Sequence, residues 1–360
     1  MDKKEKVIHI MNRDRFSTGY IEFMRVYFPC FEHLFVMVDK GALLELETFN
    51  DVHYVSDFRE LRYDRALKRK LVECDRIIVS GVWDMTEHLY RCGKKVLSKT
   101  YFHFWGGDFY KFRDFSTFDV KKDKFILKRC LRHCAGVINL IEEDYISLKE
   151  IMGLKNVKHF VAPIGKNPKE NIDYAYYRNK PKTDDKYRIL LGNSATVYNQ
   201  HEEMFQVLSR FKDENIEIIC PLSYGKDTYR EEVLKLGPQY LGDKFKPLLQ
   251  SIPKEEYVDF LASCDVGIFN NNRQQAMGNI SIFARLGKKV YLRDDTPMWD
   301  HFKKIGYQFN VVDELKNADL SEIVHIDADV RENNIKARER WEQQAVLMWD
   351  RVLRNQMTSA

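Results

Sequence analysis

Three short stretches carry residue types that could do chemistry. The first is YFHFWGGDFY, residues 101–110, where an aromatic, strand-like run breaks at Gly106-Gly107 and presents Asp108. An acid held beside Phe104 and Trp105 sits in a partly apolar setting, which raises a carboxyl pKa and makes a better general base. The paired glycines permit a close approach of backbone to a ligand, or a turn with positive φ. The plainer reading is that Asp108 caps the following turn and Trp105 fills the core.

The second stretch is LLGNSATVYNQHEE. A strand ends at Leu191, Gly192-Asn193-Ser194 form a polar loop, and a helix is predicted to start near Asn199 or Gln200. Its N-terminus offers N–H groups and the positive end of the helix dipole, which suit a phosphate. Neither a Walker A spacing nor GxGxxG is present, and a plain polar loop is the alternative. The third stretch is FNNNRQQAMGNISIFARLG. So polar a cluster between two apolar segments is costly unless something hydrogen-bonds it, so function is the favoured reading here. Arg273 could pair bidentately with a diphosphate. Gln274 and Gln275 could read sugar or base hydroxyls, and Gly278-Asn279 opens an apolar helix ending at Gly287. Asn279-Ile280-Ser281 is formally a glycosylation sequon, silent in a cytosolic chain.

All three stretches follow strands, and the elements that position them repeat one rhythm. KVIHIMN, HLFVMVD, VHYVS, DRIIVSGV, KTYFHFW and AGVINLI are short apolar runs separated by helical patterns or polar loops. One of those helices is predicted over TEHLYRCGKKVLS, with Gly93 near its end. Runs this short, alternating with helices, predict a parallel sheet buried on both faces. The rhythm pauses over residues 163–187, rich in charge and proline, then restarts with YRILLGNS, IEIICPLSYG, DVGIFNNN and KKVYLRDD. The expected organisation is an N-terminal Rossmann-like domain over 1–165, a linker over 166–187 and a second Rossmann-like domain over 188–330. A helix over 331–360 is expected to pack back on the first domain. Two such α/β domains, their parallel sheets facing across a cleft, would bind ligands at the carboxyl ends of their strands.

The totals bound the class. The 360 residues suit two domains, and 44% hydrophobic with 31% charged residues describe a globular protein. No apolar run approaches the length of a membrane-spanning helix, and the N-terminus lacks the apolar core of a signal peptide. The seven cysteines show no CxxC pair, which fits a reduced, cytosolic chain. Cys130, His133 and Cys134 share one helical stretch but lack further ligands nearby, so no metal is expected there. A net charge of +4 is too mild for a dedicated nucleic-acid binder. The segment KFRDFSTFDVKKDKFILKRCLRHC interleaves Lys and Arg with Phe, Ile and Leu. It suits an anionic membrane surface, and equally an ordinary solvated helix face.

Taken together the loops resemble a known family. FHFWGGDFY is similar to a strand ending in Trp-Gly-x-Asp-Leu-Tyr. ILLGNSATVYNQH resembles a Gly-Asn-Ser loop with Asn199 and His201 in matching places. CPLSYG, with Pro221 and Tyr224, resembles the next donor-domain strand end, and RQQAMGNISIFARLGKKVYL an Arg-Gln-Gln-x-x-Gly helix start. DDTPMWDHF resembles a Pro-x-Trp that follows. The family is the bacterial 4-acetamido-4,6-dideoxygalactose (Fuc4NAc) transferases, which elongate a lipid-linked intermediate of enterobacterial common antigen. The matches run from about residue 101 to 302, and the first hundred residues match only in rhythm.

The resemblance implies a GT-B glycosyltransferase with a nucleotide-sugar donor, dTDP-linked in this family, and a polyprenyl-diphosphate-linked glycan acceptor at the inner face of the bacterial membrane. It implies inversion at the anomeric carbon without a metal or other cofactor. The one acidic DxD, Asp327-Ala328-Asp329, stands where an N-cap is expected. Without metal, the leaving diphosphate must meet N–H groups and cations, which Gly192 to Ser194, Gly278-Asn279 and Arg273 could supply. Trp105, Gly106, Gly107 and Tyr110 would line the acceptor. Asp108 would take the acceptor's proton, with Asp14 as the rival base and His9 less suited within its strand. Other readings are a GT-B enzyme using a UDP- or GDP-sugar, a non-catalytic two-lobed binding protein, and a nucleotide-sugar epimerase or dehydrogenase. The last is disfavoured by the missing GxGxxG.

Overall fold

The computed structural model describes residues 4–14, 16–38, 50–83, 85–165, 168–169 and 171–356. Parts of four sequence readings lie outside the described residues: Met1–Lys3 of the N-terminus, Asp39 at the end of HLFVMVD, Lys166, Asn167 and Glu170 of the expected linker, and Met357–Ala360 at the end. The chain divides into two compact units, one of residues 1–171 with 343–360 and one of residues 172–342.

In the first unit seven strands are described: β1 (Lys6–Asn12), β2 (Glu32–Val38), β3 (Val52–Val55), β4 (Arg76–Ser80), β5 (Thr100–Phe104), β6 (Gly136–Asn139) and β7 (His159–Val161). They form one sheet in the order β3-β2-β1-β4-β5-β6-β7, with every pairing parallel. Side chains alternate between the faces, so Ile8 and Ile10 enter one core with Val36, Val79 and Phe102. Val7 and Met11 enter the other with Phe35, Ile78 and Tyr101. This two-sided burial is why the strands are spelled as continuous apolar runs. The helix Ala328–Arg354 contributes Ala345, Trp349, Val352 and Leu353 to that second core. Trp349 Nε1–H donates to Pro163 O over 2.8 Å, so the indole buries its area without an orphaned donor.

In the second unit β8 (Tyr187–Leu191), β9 (Ile216–Pro221), β10 (Phe245–Leu248), β11 (Val266–Phe269), β12 (Lys289–Leu292) and β13 (Asn310–Val311) form a sheet in the order β10-β9-β8-β11-β12-β13. It too is parallel throughout. The strand order reverses between β1 and β4 in the first sheet and between β8 and β11 in the second. These reversals are the switch points beyond which open α/β sheets bind ligands.

Three details depart from the sequence reading. The stretch read as linker contains a helix, Tyr174–Asn179, whose start is capped by Asp173 accepting the Tyr176 N–H at 2.9 Å. Tyr174 and Tyr177 pack on a core of the second unit, and the division between the units, after Asn171, falls inside the stretch read as linker. The helix read over TEHLYRCGKKVLS is two, Thr86–Arg91 and Lys94–Leu97, parted by Gly93 at φ 92°. Strands β7, β10 and β13 escaped notice because each is two to four residues long and polar or proline-bearing, which leaves little apolar periodicity.

Candidate active site

In the first unit the loop after β1 carries Asp14. Its Oδ1 accepts the N–H of Phe16 at 2.8 Å and lies 3.2 Å from the Ser17 hydroxyl, an Asx-type turn that starts the helix Ser17–Tyr27. Asp14 is half-buried and stands at the switch point. His9, by contrast, is fully buried within β1, bonded to Tyr20 Oη at 2.8 Å and to His33 Nδ1 at 2.9 Å. Burial holds its pKa well below the ordinary imidazole range.

The loop after β5 turns at Gly106, with φ 98° as a glycine turn requires, into the helix Gly107–Asp114. Asp108 lies in its first turn and has no exposed surface. Its Oδ2 accepts the N–H of Val82 at 2.9 Å and that of Trp105 at 3.1 Å, and its Oδ1 lies 3.1 Å from the same Trp105 nitrogen. Burial pushes its pKa up to about 6 against the opposing pull of these N–H groups. Asp108 therefore ties the loop after β5 to the loop after β4. Tyr110 is not at these loops: it is fully buried and its hydroxyl donates to Asp144 at 2.8 Å, because its side chain leaves the helix toward the core.

What the loops do bring together is aromatic. Trp105 meets Phe16 edge-on, with ring centroids 5.8 Å apart. A Cβ on Gly81 would touch both Trp83, at 3.5 Å, and Trp105, at 3.7 Å. Trp83 and Phe16 are each more than a third exposed. Neither was singled out from sequence, since nothing local marks them as partners of Trp105. Beneath them His103 accepts from Trp105 Nε1 at 3.4 Å while its own Nε2–H donates to Ala162 O. Its pKa, lowered to about 3 by burial, keeps it neutral.

In the second unit the loops after β8, β9 and β11 are stitched into one surface. Asn199 Oδ1 accepts from Asn193 N–H at 2.9 Å and from Asn271 Nδ2 at 3.1 Å, and its Nδ2 donates to Ser194 O at 3.0 Å. Gln275 Nε2 donates to Ser194 Oγ at 2.8 Å and Asn193 Nδ2 to Tyr224 Oη at 2.7 Å. Gly192, at φ 71°, lies so close to this hub that a Cβ there would stand 2.7 Å from Asn199 Oδ1 and 2.9 Å from His201 Nε2. The sequence reading took Asn271 only as one of three asparagines in the polar cluster and did not single out Tyr198.

His201 opens the helix His201–Leu208, one residue later than expected because Val197–Asn199 form a 3-10 turn. Its Nδ1 lies 3.1 Å from Tyr229 Oη, and burial holds its pKa at about 3. Arg273 is buried, with its guanidinium carbon 4.0 Å from the Tyr198 ring centroid and Nη1 donating to Gln274 O at 2.8 Å. The helix Met277–Leu286 follows Ala276, in the left-handed region at φ 59°, and no side chain caps its start. Gly278 there faces open space. Pro221, buried at the end of β9 opposite Leu248, belongs to the sheet and leaves Tyr224, 39% exposed, to face outward.

Buried polar atoms concentrate at these loops. Asn193 Oδ1, Asn270 Oδ1, Asn271 Oδ1, Gln274 Oε1, Gln275 Oε1 and His201 Nε2 find no hydrogen-bond partner among the described residues. Each such group costs about 1–3 kcal/mol when buried unpaired, so a cluster of them marks a surface built for a polar ligand.

The loops depend on Gly225. At φ 127°, a Cβ on it would sit 2.2 Å from Ala195 O, the atom that accepts the Lys226 N–H, while Ala195 N–H donates to Tyr224 O. Gly225→Val is expected to destabilise the second unit by about 2–4 kcal/mol. Urea denaturation would show this as a lowered midpoint, and an unchanged midpoint would mean the two loops are not clamped there.

A family model described as 4-alpha-L-fucosyltransferase, glycosyl transferase group 56, matches residues 32–336. The chain belongs to this family. It is a glycosyltransferase, which sets aside the readings as a passive binding protein, epimerase or dehydrogenase. Solved structures similar to this group 56 transferase include sucrose-phosphate synthase from Thermosynechococcus elongatus, 11% identical over 99% of this chain and 100% of that one, TM-score 0.72. HepE from Anabaena in complex with UDP and glucose is 13% identical over 98% and 100%, TM-score 0.66. The Escherichia coli structure described as trehalose-6-phosphate bound with UDP-2-fluoro glucose is 9% identical over 99% and 100%, TM-score 0.65. At such identities the likeness is one of fold, and the fold of the group 56 transferase is GT-B, two Rossmann-like units each built on a parallel sheet.

Proposed function

We propose that this transferase moves a Fuc4NAc-like deoxyamino sugar from a dTDP-sugar to a glycan carried on a polyprenyl diphosphate, inverting the anomeric centre without a metal. The observation that carries the donor side is the cluster of buried, unpartnered polar atoms beyond β8 and β11. In this reading the second unit binds the nucleotide sugar. Asn193, Gln274 and Gln275 pair with donor hydroxyls or base, and Ser194, Asn199 and His201 hold the Gly192 loop in shape. The N–H groups of Met277, Gly278 and Asn279, with Arg273, stabilise the diphosphate as its bond to the anomeric carbon breaks.

The first unit binds the acceptor, its sugar ring stacked on Trp105 with Trp83 and Phe16 beside it. We assign proton removal to Asp14. A base must come within hydrogen-bond reach of the acceptor hydroxyl; Asp14 is half-buried at the switch point, whereas Asp108 is fully buried. Asp108 then positions Trp105 and the loop after β4. The acceptor oxygen attacks the anomeric carbon as its proton passes to Asp14, and the nucleoside diphosphate leaves with the electron pair.

The test is thermal unfolding with dTDP, UDP, GDP and ADP, each with magnesium or EDTA. A ligand that binds the folded state alone raises its stability by about 2.7 kcal/mol at 100 times its Kd. A rise in Tm with dTDP that ignores EDTA is expected. A rise with UDP alone would favour a second reading, a UDP-sugar donor, which is motivated by the UDP and UDP-2-fluoro glucose in two structures of like fold. No rise with any nucleotide would remove the donor assignment.

A further inference from the structure

No helix among the described residues is long and apolar enough to cross a membrane, yet the proposed acceptor is anchored in one. The helix Phe118–Leu131 follows the Trp105 loop by one short helix. It is capped by Thr117 and anchored inward by Leu127, Cys130 and Leu131, all buried. That anchoring fixes which face looks outward. On the outward face lie Phe118, 82% exposed, and Phe125, 59% exposed, seven residues and two turns apart. Lys121, Lys122, Arg129 and Arg132 are exposed beside them, against the exposed Asp119 and an Asp123 whose side chain is 47% exposed. Arg129 lies over the Phe125 ring at 4.7 Å, and Lys122 reaches Glu87 at 3.2 Å.

Two large aromatic side chains held in water are costly, and a core-facing reason for them is absent because the opposite face is the one that packs. A stripe of phenylalanine flanked by cations matches the boundary of an anionic bilayer, where rings enter the acyl edge and Lys and Arg meet phosphate headgroups. We infer that the outward face of the helix Phe118–Leu131 is the surface by which this enzyme sits on an anionic lipid bilayer, with Phe118 and Phe125 inserted. Its purpose rests on the lipid-linked acceptor proposed above; its geometry does not. The same unit carries the Trp105 loop, so docking by this helix brings acceptor recognition to the bilayer that holds the acceptor.

The test is co-sedimentation of the full chain with vesicles of phosphatidylcholine alone and with about one-third phosphatidylglycerol, an anionic share in the range that attracts basic surface segments. Binding to the anionic vesicles is expected, falling steeply with salt. Phe118→Ser/Phe125→Ser and Lys121→Glu/Lys122→Glu are each expected to weaken it tenfold or more, with circular dichroism and the nucleotide-induced Tm rise unchanged. Wild-type protein that stays in the supernatant at low salt would overturn the inference, as would a Phe118→Ser/Phe125→Ser variant that binds like wild type. So would sedimentation-equilibrium evidence that this face instead joins two copies of the chain. Transfer to a water-soluble, short-chain acceptor analogue is read in parallel. Vesicle binding lost with transfer intact removes only the membrane face, whereas transfer absent with vesicle binding intact removes only the proposed reaction.

Discussion

Asp14→Asn is expected to lower kcat by about 10²–10⁴-fold, the range by which a positioned general base contributes. The amide retains an oxygen to accept the Phe16 N–H, so the turn and the melting temperature should persist while proton acceptance is lost. Asp108→Asn should behave in the opposite way. Turnover should fall little, because the amide oxygen can still accept from Val82 and Trp105, while the dependence of stability on pH should change. The folded state raises the Asp108 pKa from 3.8 to about 6 by burial, so it holds this proton more tightly than the unfolded chain does. The stability this gives is complete below about pH 4 and is lost as pH rises through about 6, amounting to about 3 kcal/mol at 1.36 kcal/mol per pKa unit. Relative to wild type, Asp108→Asn should therefore gain up to that amount between pH 4 and pH 7 in urea denaturation. Full turnover in Asp14→Asn combined with its loss in a folded Asp108→Asn would return the base to Asp108.

Arg273→Ala is expected to lower kcat/KM by about 10²–10³-fold, the loss seen when one preorganised donor to developing charge is removed. The guanidinium is locked over Tyr198 and donates to Gln274 O, so in the proposed role it would meet a diphosphate without ordering cost at the moment of reaction. Arg273→Lys keeps the charge but loses the planar fork and the stack, and should recover only part of the rate. Single-turnover rates with excess enzyme would separate chemistry from donor binding, and both variants should be checked against the wild-type melting curve. Unchanged kcat/KM in Arg273→Ala would leave the helix start at Met277 to stabilise the leaving group alone.

Much of the architecture is written in the order of residues. Strands buried on both faces must be mostly apolar, so Val7–Met11, Ile77–Val79, Ile189–Leu191 and Val266–Phe269 announce parallel sheets without reference to anything distant. Polar clusters beyond such strands are as visible, because an asparagine- and glutamine-rich run between buried segments has a cost that only bonding removes. That is how Gly192 to Ser194 and Arg273 to Gln275 were found, and the structure places both at one switch point, joined through Asn199 and Asn271.

Direction and distant partners were not written there. Local spelling offers Asp108 as an acid among aromatics, but its fate depends on the N–H of Val82, 26 residues earlier in the chain, which only strand order brings alongside. Tyr110, two residues on, turns into the core because a helix of 3.6 residues per turn sends it to the buried face. Phe16 and Trp83 join Trp105 because β1, β4 and β5 are neighbours in the sheet though far apart in sequence. Residue type and period thus determined the fold class and marked the polar loops after β8 and β11. Which carboxylate faces solvent, and which aromatics share a surface, were decided by the packing of strands against one another, where burial and contact arise from separations that no local pattern encodes.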